Sequence, residues 1–159
     1  MGSPSFFSAE ELVAIVDQRF AALVLYARSW NLDAAEDLVQ DAFLKLVDQP
    51  KRPENPMAWL CKTVRNAAIS RHRQMLRRQK HETEAAKRKP DWFVPDDTLL
   101  AKEAAEKLTE LWPDQREVII LRIWNQLSFD EIAELMGTPK TSVFRTYTEA
   151  LEELRRKLS

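Results

Sequence analysis

The stretch WLCKTVRNAAISRHRQMLRRQK, residues 59–80, begins apolar and becomes strongly basic. At 100° per residue its apolar side chains fall on one stripe, which predicts an amphipathic helix packed against a core. The stripe consists of Leu60, Val64, Ala67, Ala68 and Met75. The opposite face carries Lys62, Arg65, Arg73, Arg77 and Lys80. Because Arg71 and Arg78 fall on the stripe itself, the second half is expected to be basic on all sides. Alone, such a helix is either a solvated surface helix or a binding surface for an anionic partner.

The charges around this helix are segregated along the chain. Residues 51–90 contain 12 Lys and Arg against 3 Asp and Glu, a net charge of +9. Residues 1–50 and residues 91–159 each carry a net charge of −5, so the whole chain has a net charge of −1. A near-neutral total argues against nucleic-acid binding by the whole surface. The bounded basic block instead indicates a localised contact with an anionic partner.

The composition is that of a folded protein without a recognisable catalytic motif. A hydrophobic content of 45% supports one domain or two small ones, and no apolar run approaches the roughly 20 residues of a membrane span. Gly2 and Gly137 are the two glycines of the sequence, which is too few for a glycine-rich phosphate loop. His72 and His81 lack the neighbouring ligands of a metal site. Cys61 has no disulfide partner in the sequence. The first residues do not show the pattern of a signal peptide. We therefore expect no enzymatic activity, no metal and no cofactor, in a cytoplasmic protein.

Two helices are predicted before the basic helix. Ser8 with Glu11 and Asp33 with Glu36 have the spacing of a capping box, which predicts where each helix begins. The apolar residues expected to form the inner face of the first helix are Leu12, Ile15, Val16, Phe20, Leu23, Val24 and Ala27. Those of the second, AAEDLVQDAFLKLVDQ, are Leu38, Ala42, Phe43, Leu46 and Val47.

The outward face of the second helix is a compact acidic and polar patch. It comprises Glu36, Asp37, Gln40, Asp41 and Lys45. Taken alone, the patch is either an ordinary solvated face or a surface that docks a partner. Pro50, Pro53 and Pro56 follow it and predict a stiff, non-helical loop before the basic helix.

Residues 81–97 have the composition of a linker. They are polar and interrupted by Pro90 and Pro95, although residues 92–94, Trp-Phe-Val, form a small apolar knot. Such a tether predicts that the domains on either side have no single fixed arrangement unless a partner holds them.

Residues 98–159 carry the pattern of a helix-turn-helix. Ser128 and Glu131 form a capping box that opens a short helix, and Gly137 supplies the left-handed turn residue after it. Thr138 caps the last helix, with Pro139 expected at its first position. The second helix of such a motif enters the major groove of DNA.

Residues 33 to about 73 resemble domain 2 of bacterial sigma factors, specifically the extracytoplasmic-function (ECF) group. The resemblance rests on AAEDLVQDAFLKL, the proline-rich loop and NPMAWLCKTVRNAAISRHR. The later string LWPDQREVIILRIWNQLSFDEIAELMGTPKTSVFRTYTEALEELRRKL closely resembles sigma domain 4. The resemblance implies an all-α protein of two small helical domains: residues 6–80, a linker at 81–97, and residues 98–159.

The resemblance implies a sigma factor that binds core RNA polymerase and directs it to promoter DNA, with an anti-sigma factor as a further candidate partner. The acidic patch would dock on the polymerase. The minus-ten element would be read by Lys51, Arg52, Asn55, Lys62, Arg65, Asn66, Ile69, Ser70, Arg73 and Arg77. The minus-thirty-five element would be read by Ser128, Thr138, Lys140, Thr141, Ser142, Arg145 and Thr146.

The sequence departs from the family pattern in both domains, and in domain 2 Arg71 and His72 stand where apolar or aromatic residues are common. Ser70 stands where the family usually has Asp, and the last helix carries Phe144, Thr146 and Glu149 where the family usually places cations. We therefore expect the basic helix of domain 2 to supply most of the electrostatic attraction to DNA. Two alternatives stay open: a sigma-like adaptor that no longer reads promoters, and a helix-turn-helix repressor, against which the acidic patch argues.

Overall fold

The computed structural model describes residues 7–30, 34–81 and 106–158. Within these ranges the chain is helical and contains no strand, which confirms the all-α prediction. Residues 106–109 are helical, and a π-helical segment spans Ile120–Trp124. The other α-helices are α1 (Ala9–Arg28), α2 (Ala35–Val47), α3 (Pro56–His81), α4 (Pro113–Ile119), α5 (Phe129–Met136) and α6 (Lys140–Leu158). None of the described helices is long and apolar enough to cross a membrane.

The first domain is built from α1, α2 and α3, whose apolar faces pack together as the sequence predicts. The side chain of Ser8 accepts a hydrogen bond from the backbone N–H of Glu11 at 3.1 Å, as the first predicted cap requires. At α2 the N-cap residue is Ala34, without a side-chain cap. The predicted cap Asp33 lies outside the described residues. In α3, Leu60 and Val64 are fully buried.

The basic helix begins at an asparagine cap. The Asn55 Oδ1 atom accepts hydrogen bonds from the backbone N–H groups of Met57 at 3.1 Å and Ala58 at 3.2 Å, and Pro56 occupies the first helical position. Further along, Arg71 and Arg78 are both exposed. The second half of α3 therefore presents cations on every side, as its pattern predicts.

The helix-turn-helix forms where the sequence places it. Ser128 and Glu131 make both bonds of the capping box, and Gly137 ends α5 in the left-handed region at φ 66°. One detail of the prediction is wrong. Because the carbonyl of Pro139 accepts the bond from the Val143 N–H at 3.1 Å, Pro139 lies at the N-cap rather than at the first helical position.

The two domains pack on each other across a continuous apolar core. The buried apolar residues of α1, α2 and α3 belong to the same cluster as Ile119, Ile120 and Leu127 of the second domain. Consequently Leu25 and Tyr26, which lie outside the predicted inner face of α1, are 2% and 0% exposed. The linker composition predicted variable domain arrangements and gave no sign of this interface.

Candidate nucleic-acid interface and docking surface

The acidic patch on α2, the candidate docking face, has the geometry that the sequence predicts. Its residues are all exposed and lie on one side of the helix: Glu36, Asp37, Gln40, Asp41 and Lys45. Glu36 lies 3.7 Å from the guanidinium group of Arg28. The carboxylates of Asp37 and Asp41 therefore stand one helical turn apart on a solvent-facing surface.

An apolar component of this surface was missed at the sequence level. Leu44, one turn after Gln40, is 64% exposed. It lines a groove of about 430 Å³ between α1 and α2. The groove is lined by Leu12, Val16, Phe20, Gln40, Phe43, Leu44 and Val47. Val16, predicted in the core, is 36% exposed and belongs to this groove. The available signal was an additional leucine beside the inner row of α2.

The outward face of α3 carries a row of polar and basic side chains with about 440 Å³ of space between them, here termed the basic groove. It is lined by Asn66, Ile69, Ser70, Arg73, Gln74 and Arg77. All but Gln74 are among the predicted DNA contacts, so the structure brings five of them together. The groove combines guanidinium groups, which bind phosphate, with amide and hydroxyl groups, which can hydrogen-bond to bases. Lys62 is exposed on the same helix, outside the groove lining.

Arg65 is in a different environment from the basic groove. Its Nε donates to the Oε1 atom of Glu117 in α4 at 2.6 Å, and its side chain is 23% exposed. The hydroxyl of Tyr26 donates to the same oxygen at 2.7 Å. Tyr26, Arg65 and Glu117 therefore form an interdomain cluster. In this arrangement the Arg65 guanidinium is paired with protein instead of DNA.

Electrostatics keep the two donors of the interdomain cluster protonated. Burial raises the pKa of the Tyr26 hydroxyl well above its usual value, and the negative charge of Glu117 raises it further. Burial by itself would lower the pKa of Arg65, but the hydrogen bond to Glu117 and its charge outweigh burial, so the pKa is raised. Both groups therefore donate to Glu117 throughout the physiological pH range.

Further polar contacts cross the same interface. The side chain of Arg116 donates to the Ser29 carbonyl at 3.3 Å, and the amide of Asn125 donates to the Ala22 carbonyl at 3.4 Å. The Asn55 amide donates to the Glu131 carboxylate. Asn55, a predicted DNA contact, thus both caps α3 and joins the two domains.

The loop before α3 is partly fixed by α1. Arg52 lies 3.1 Å from the carboxylate of Glu11, and its guanidinium stacks over the ring of Phe7 with 4.6 Å to the centroid. Lys51 and Arg52 are both exposed. The loop therefore presents cations beside the beginning of α3.

On the helix-turn-helix the predicted DNA contacts divide into two groups. Thr138, Lys140, Thr141 and Arg145 are exposed, and Lys140 lies 3.2 Å from Asp130. The remaining three are half-buried: Ser128, Ser142 and Thr146. Ser128 is used in the capping box. Phe144 is exposed as well, although it is not among the predicted DNA contacts.

Nothing in the described part of the chain resembles a metal centre, since it contains no group of three or more His, Cys, Asp or Glu side chains placed to hold an ion. The described helices thus carry three separate surfaces: the basic groove on α3, the helix-turn-helix and the acidic patch on α2.

Comparison with known proteins identifies the family. The family model described as Sigma-70 region 2 matches residues 8–79, and the model described as Sigma-70, region 4 matches residues 101–154. The RNA polymerase sigma factor CarQ of Myxococcus xanthus is 34% identical over 132 residues, covering 76% of this chain and 74% of that protein. The RNA polymerase sigma factor YlaC of Bacillus subtilis (strain 168) is 26% identical over 145 residues, covering 85% of this chain and 83% of that protein.

A solved structure agrees with these relatives. The sigma factor RpoE from Bartonella quintana, in complex with the anti-sigma factor NepR, superimposes with a TM-score of 0.70 at 27% identity, covering 94% of both chains. The ECF RNA polymerase sigma factor SigW of Bacillus subtilis (strain 168) is 26% identical over 149 residues, covering 84% of this chain and 80% of that protein. The chain belongs to the sigma-70 family, in its ECF group. It binds core RNA polymerase and directs promoter recognition in transcription initiation. Sigma factors are initiation factors rather than enzymes.

Proposed function

We propose that three separate surfaces of this sigma factor bind core polymerase and the two promoter elements. The acidic docking face of the first domain, residues 6–80, binds core polymerase. The basic groove and the preceding loop bind the minus-ten element. Beyond a linker at residues 81–97, the helix-turn-helix domain at 98–159 binds the minus-thirty-five element, and the protein acts in the cytoplasm. The observation that supports this division best is that Asn66, Ser70, Arg73 and Arg77 share one groove on a helix other than the acidic one.

The docking face combines charge with apolar area. An interface of this kind draws its affinity from an apolar centre, and a charged rim adds specificity and speeds association. Leu44 supplies exposed apolar area beside Gln40, and Asp37 and Asp41 supply the acidic rim. The complementary surface on the polymerase is therefore expected to be apolar at its centre and basic around it.

The basic groove combines two kinds of contact. Arg73 and Arg77 attract the phosphate backbone, while the Asn66 amide and the Ser70 hydroxyl are suited to hydrogen bonds with base edges. Extruding a base from a duplex costs a few kcal/mol, so a groove that binds unstacked bases favours the opened promoter. Domain 2 would therefore promote melting of the promoter.

The packed arrangement of the domains is the resting state in this proposal. Arg65 pairs with Glu117 across the interface, so the cation is not available to DNA while the domains are in contact. Reaching two separated promoter elements requires the domains to move apart. Polymerase and promoter binding would then release Arg65 and shift the population toward the open form.

An anti-sigma factor is the proposed regulatory partner. The sigma factor RpoE from Bartonella quintana, which matches this chain over 94% of its length, was solved in complex with an anti-sigma factor. A protein that binds both domains of the packed form would keep Arg65 paired and the domains together. Such a partner would stabilise the resting state in proportion to its preference for that state.

Run-off transcription with purified core polymerase and a pool of genomic promoters tests the proposal. We expect discrete transcripts that require the sigma factor and disappear when Asn66 and Arg73 are both replaced by alanine. A chain that binds core polymerase but yields no specific transcript from any promoter would instead be the sigma-like adaptor.

A further inference from the structure

Phe144 presents a large aromatic side chain on the solvent-exposed side of α6. It is 55% exposed and lies one turn beyond Thr141 and beside Arg145, both of which are exposed. These residues lie in the first turns of the second helix of the helix-turn-helix, the part that approaches base edges in the major groove. A single exposed apolar residue is ordinary on a protein surface, so position alone does not give Phe144 a role.

The ring of Phe144 is held in place by an aromatic contact with α5. It packs edge-to-face against Phe129, with centroids 5.6 Å apart and an interplanar angle of 79°. Phe129 contacts Tyr147 in the same manner at 5.2 Å, and the Arg122 guanidinium lies 4.6 Å from the Phe129 centroid. Because Phe129 is the first residue of α5, the capping box that fixes this helix also fixes the support of the ring. A side chain ordered before binding loses little conformational entropy when it meets a ligand.

The neighbouring residues favour apolar readout. Lys140, at the start of α6, is paired with Asp130, which leaves Arg145 as the other cation in the first turns of the helix. Among the base-pair edges in the major groove, the 5-methyl group of thymine is the most prominent apolar feature, and apolar side chains recognise it. An exposed, supported phenyl ring offers the apolar surface that contact with this methyl group requires.

We propose that Phe144 determines sequence specificity by packing against a thymine methyl group in the minus-thirty-five element. The inference rests on the proposed function of the helix-turn-helix domain. It explains how a helix with few cations discriminates between sequences: domain 2 supplies most of the attraction to phosphate, and α6 contributes an apolar contact with Thr141 and Arg145 beside it.

The test removes single methyl groups from the DNA. Upstream duplexes are first selected from a random library with holoenzyme reconstituted from core polymerase. Each thymine in the selected sequence is then replaced by deoxyuridine, which lacks only the methyl group. We expect one replacement to weaken binding of the native holoenzyme about four-fold, the effect of one buried methyl group. The same replacement should have no effect on the Phe144→Ala holoenzyme.

Leu158→Ala is the matched control, because Leu158 is 56% exposed at the far end of the same helix. This variant should keep the native response to deoxyuridine. A second measurement needs no variant: 5-iodouracil placed at the sensitive position should cross-link to Phe144 on irradiation, mapped by mass spectrometry.

Two results would overturn the inference in different ways. If every deoxyuridine replacement is tolerated, or the cross-link maps elsewhere, Phe144 does not read thymine although the domain binds DNA. If the holoenzyme selects no reproducible upstream sequence, the proposed function of the helix-turn-helix domain fails as well.

Discussion

Arg65 and Glu117 lie 52 residues apart in the sequence and form a 2.6 Å ion pair between the two domains. Glu117 is 8% exposed, and it also accepts a hydrogen bond from the fully buried Tyr26. Removing one partner of a buried pair leaves an uncompensated charge in a poorly hydrated site, whereas separating the domains hydrates both charges. Arg65 is therefore available for DNA only when the two domains separate.

Replacing Glu117 with alanine should open the interface. The half-buried Arg65 guanidinium and the buried Tyr26 hydroxyl would both lose their partner, and leaving a buried donor unsatisfied costs about 1–3 kcal/mol. Moving the domains apart avoids this cost. We therefore expect a larger radius of gyration by small-angle scattering and a lower melting temperature than for the native chain.

Glu110→Ala is the control for that experiment. Glu110 belongs to the same domain and is paired with Lys157 at 3.1 Å, but this ion pair is on the surface. Its loss should change neither the radius of gyration nor the melting temperature appreciably. Equal behaviour of the two variants would mean that the Arg65–Glu117 pair does not maintain the interface.

The single cysteine provides an independent probe of the same opening. Cys61 is fully buried, and burial, with a further contribution from the Glu131 carboxylate of the second domain, raises its pKa from 9.0 to about 12. Labelling by a disulfide reagent at pH 8 should therefore be slow in the native chain and faster in Glu117→Ala. Because the raised pKa means that folding favours the protonated thiol, its contribution to stability should be lost as the pH rises from about 9 to about 12. A labelling rate for the native chain equal to that of the urea-unfolded chain would contradict the burial of Cys61.

The sequence predicted where the helices begin and end because these positions depend on residues close together in the chain. The Ser128–Glu131 capping box and the left-handed Gly137 are short-range features, and they occur where the sequence placed them. The interdomain interface depends on contacts between residues more than 50 positions apart, such as Arg65 with Glu117. Tyr26 was not predicted to be buried because the sequence of α1 shows one apolar face, whereas the folded protein covers two faces of this helix.

The candidate sites were predictable to different extents for the same reason. Residues that share a helix face, such as Ser70, Arg73 and Arg77, necessarily come together once the helix forms, and they line one groove. Arg65 lies on the same helix but meets Glu117, which helical spacing could not show. The structure thus separates cations that the sequence grouped together.

Charge reversal on the acidic docking face should weaken polymerase binding without unfolding the protein. Asp37→Lys combined with Asp41→Lys replaces two exposed carboxylates, and exposed charges contribute only about 0–1 kcal/mol to folding. We expect reduced affinity for core polymerase in a pull-down titration and a nearly unchanged melting temperature. Glu10→Lys with Asp17→Lys, exposed on α1, makes the same change in net charge and should leave affinity closer to native. If both pairs weaken binding equally, the effect is due to net charge and not to a specific face.

Truncating Leu44 tests the apolar part of the docking surface. A side chain that is 64% exposed contributes little to the core, so Leu44→Ala should leave the melting temperature close to native. If the polymerase covers this residue, its affinity should fall several-fold, as for an apolar contact near the centre of an interface. Native affinity for Leu44→Ala would place the polymerase contact outside the groove between α1 and α2.

The salt dependence of promoter binding should be set by α3 rather than by the helix-turn-helix. Each phosphate contact contributes roughly one unit to the slope of log affinity against log salt. Arg73 and Arg77 are exposed in the basic groove, so replacing both with glutamine should lower the slope by about two units. The matched pair, Lys140→Gln with Arg145→Gln, should lower it less, because Lys140 is paired with Asp130 at 3.2 Å in the free protein. Arg65 is left unchanged, since its replacement would also disturb the domain interface. The measurement is holoenzyme–promoter affinity at a series of salt concentrations for both double variants. A larger loss of slope for the Lys140 and Arg145 pair would assign the main phosphate contacts to the helix-turn-helix.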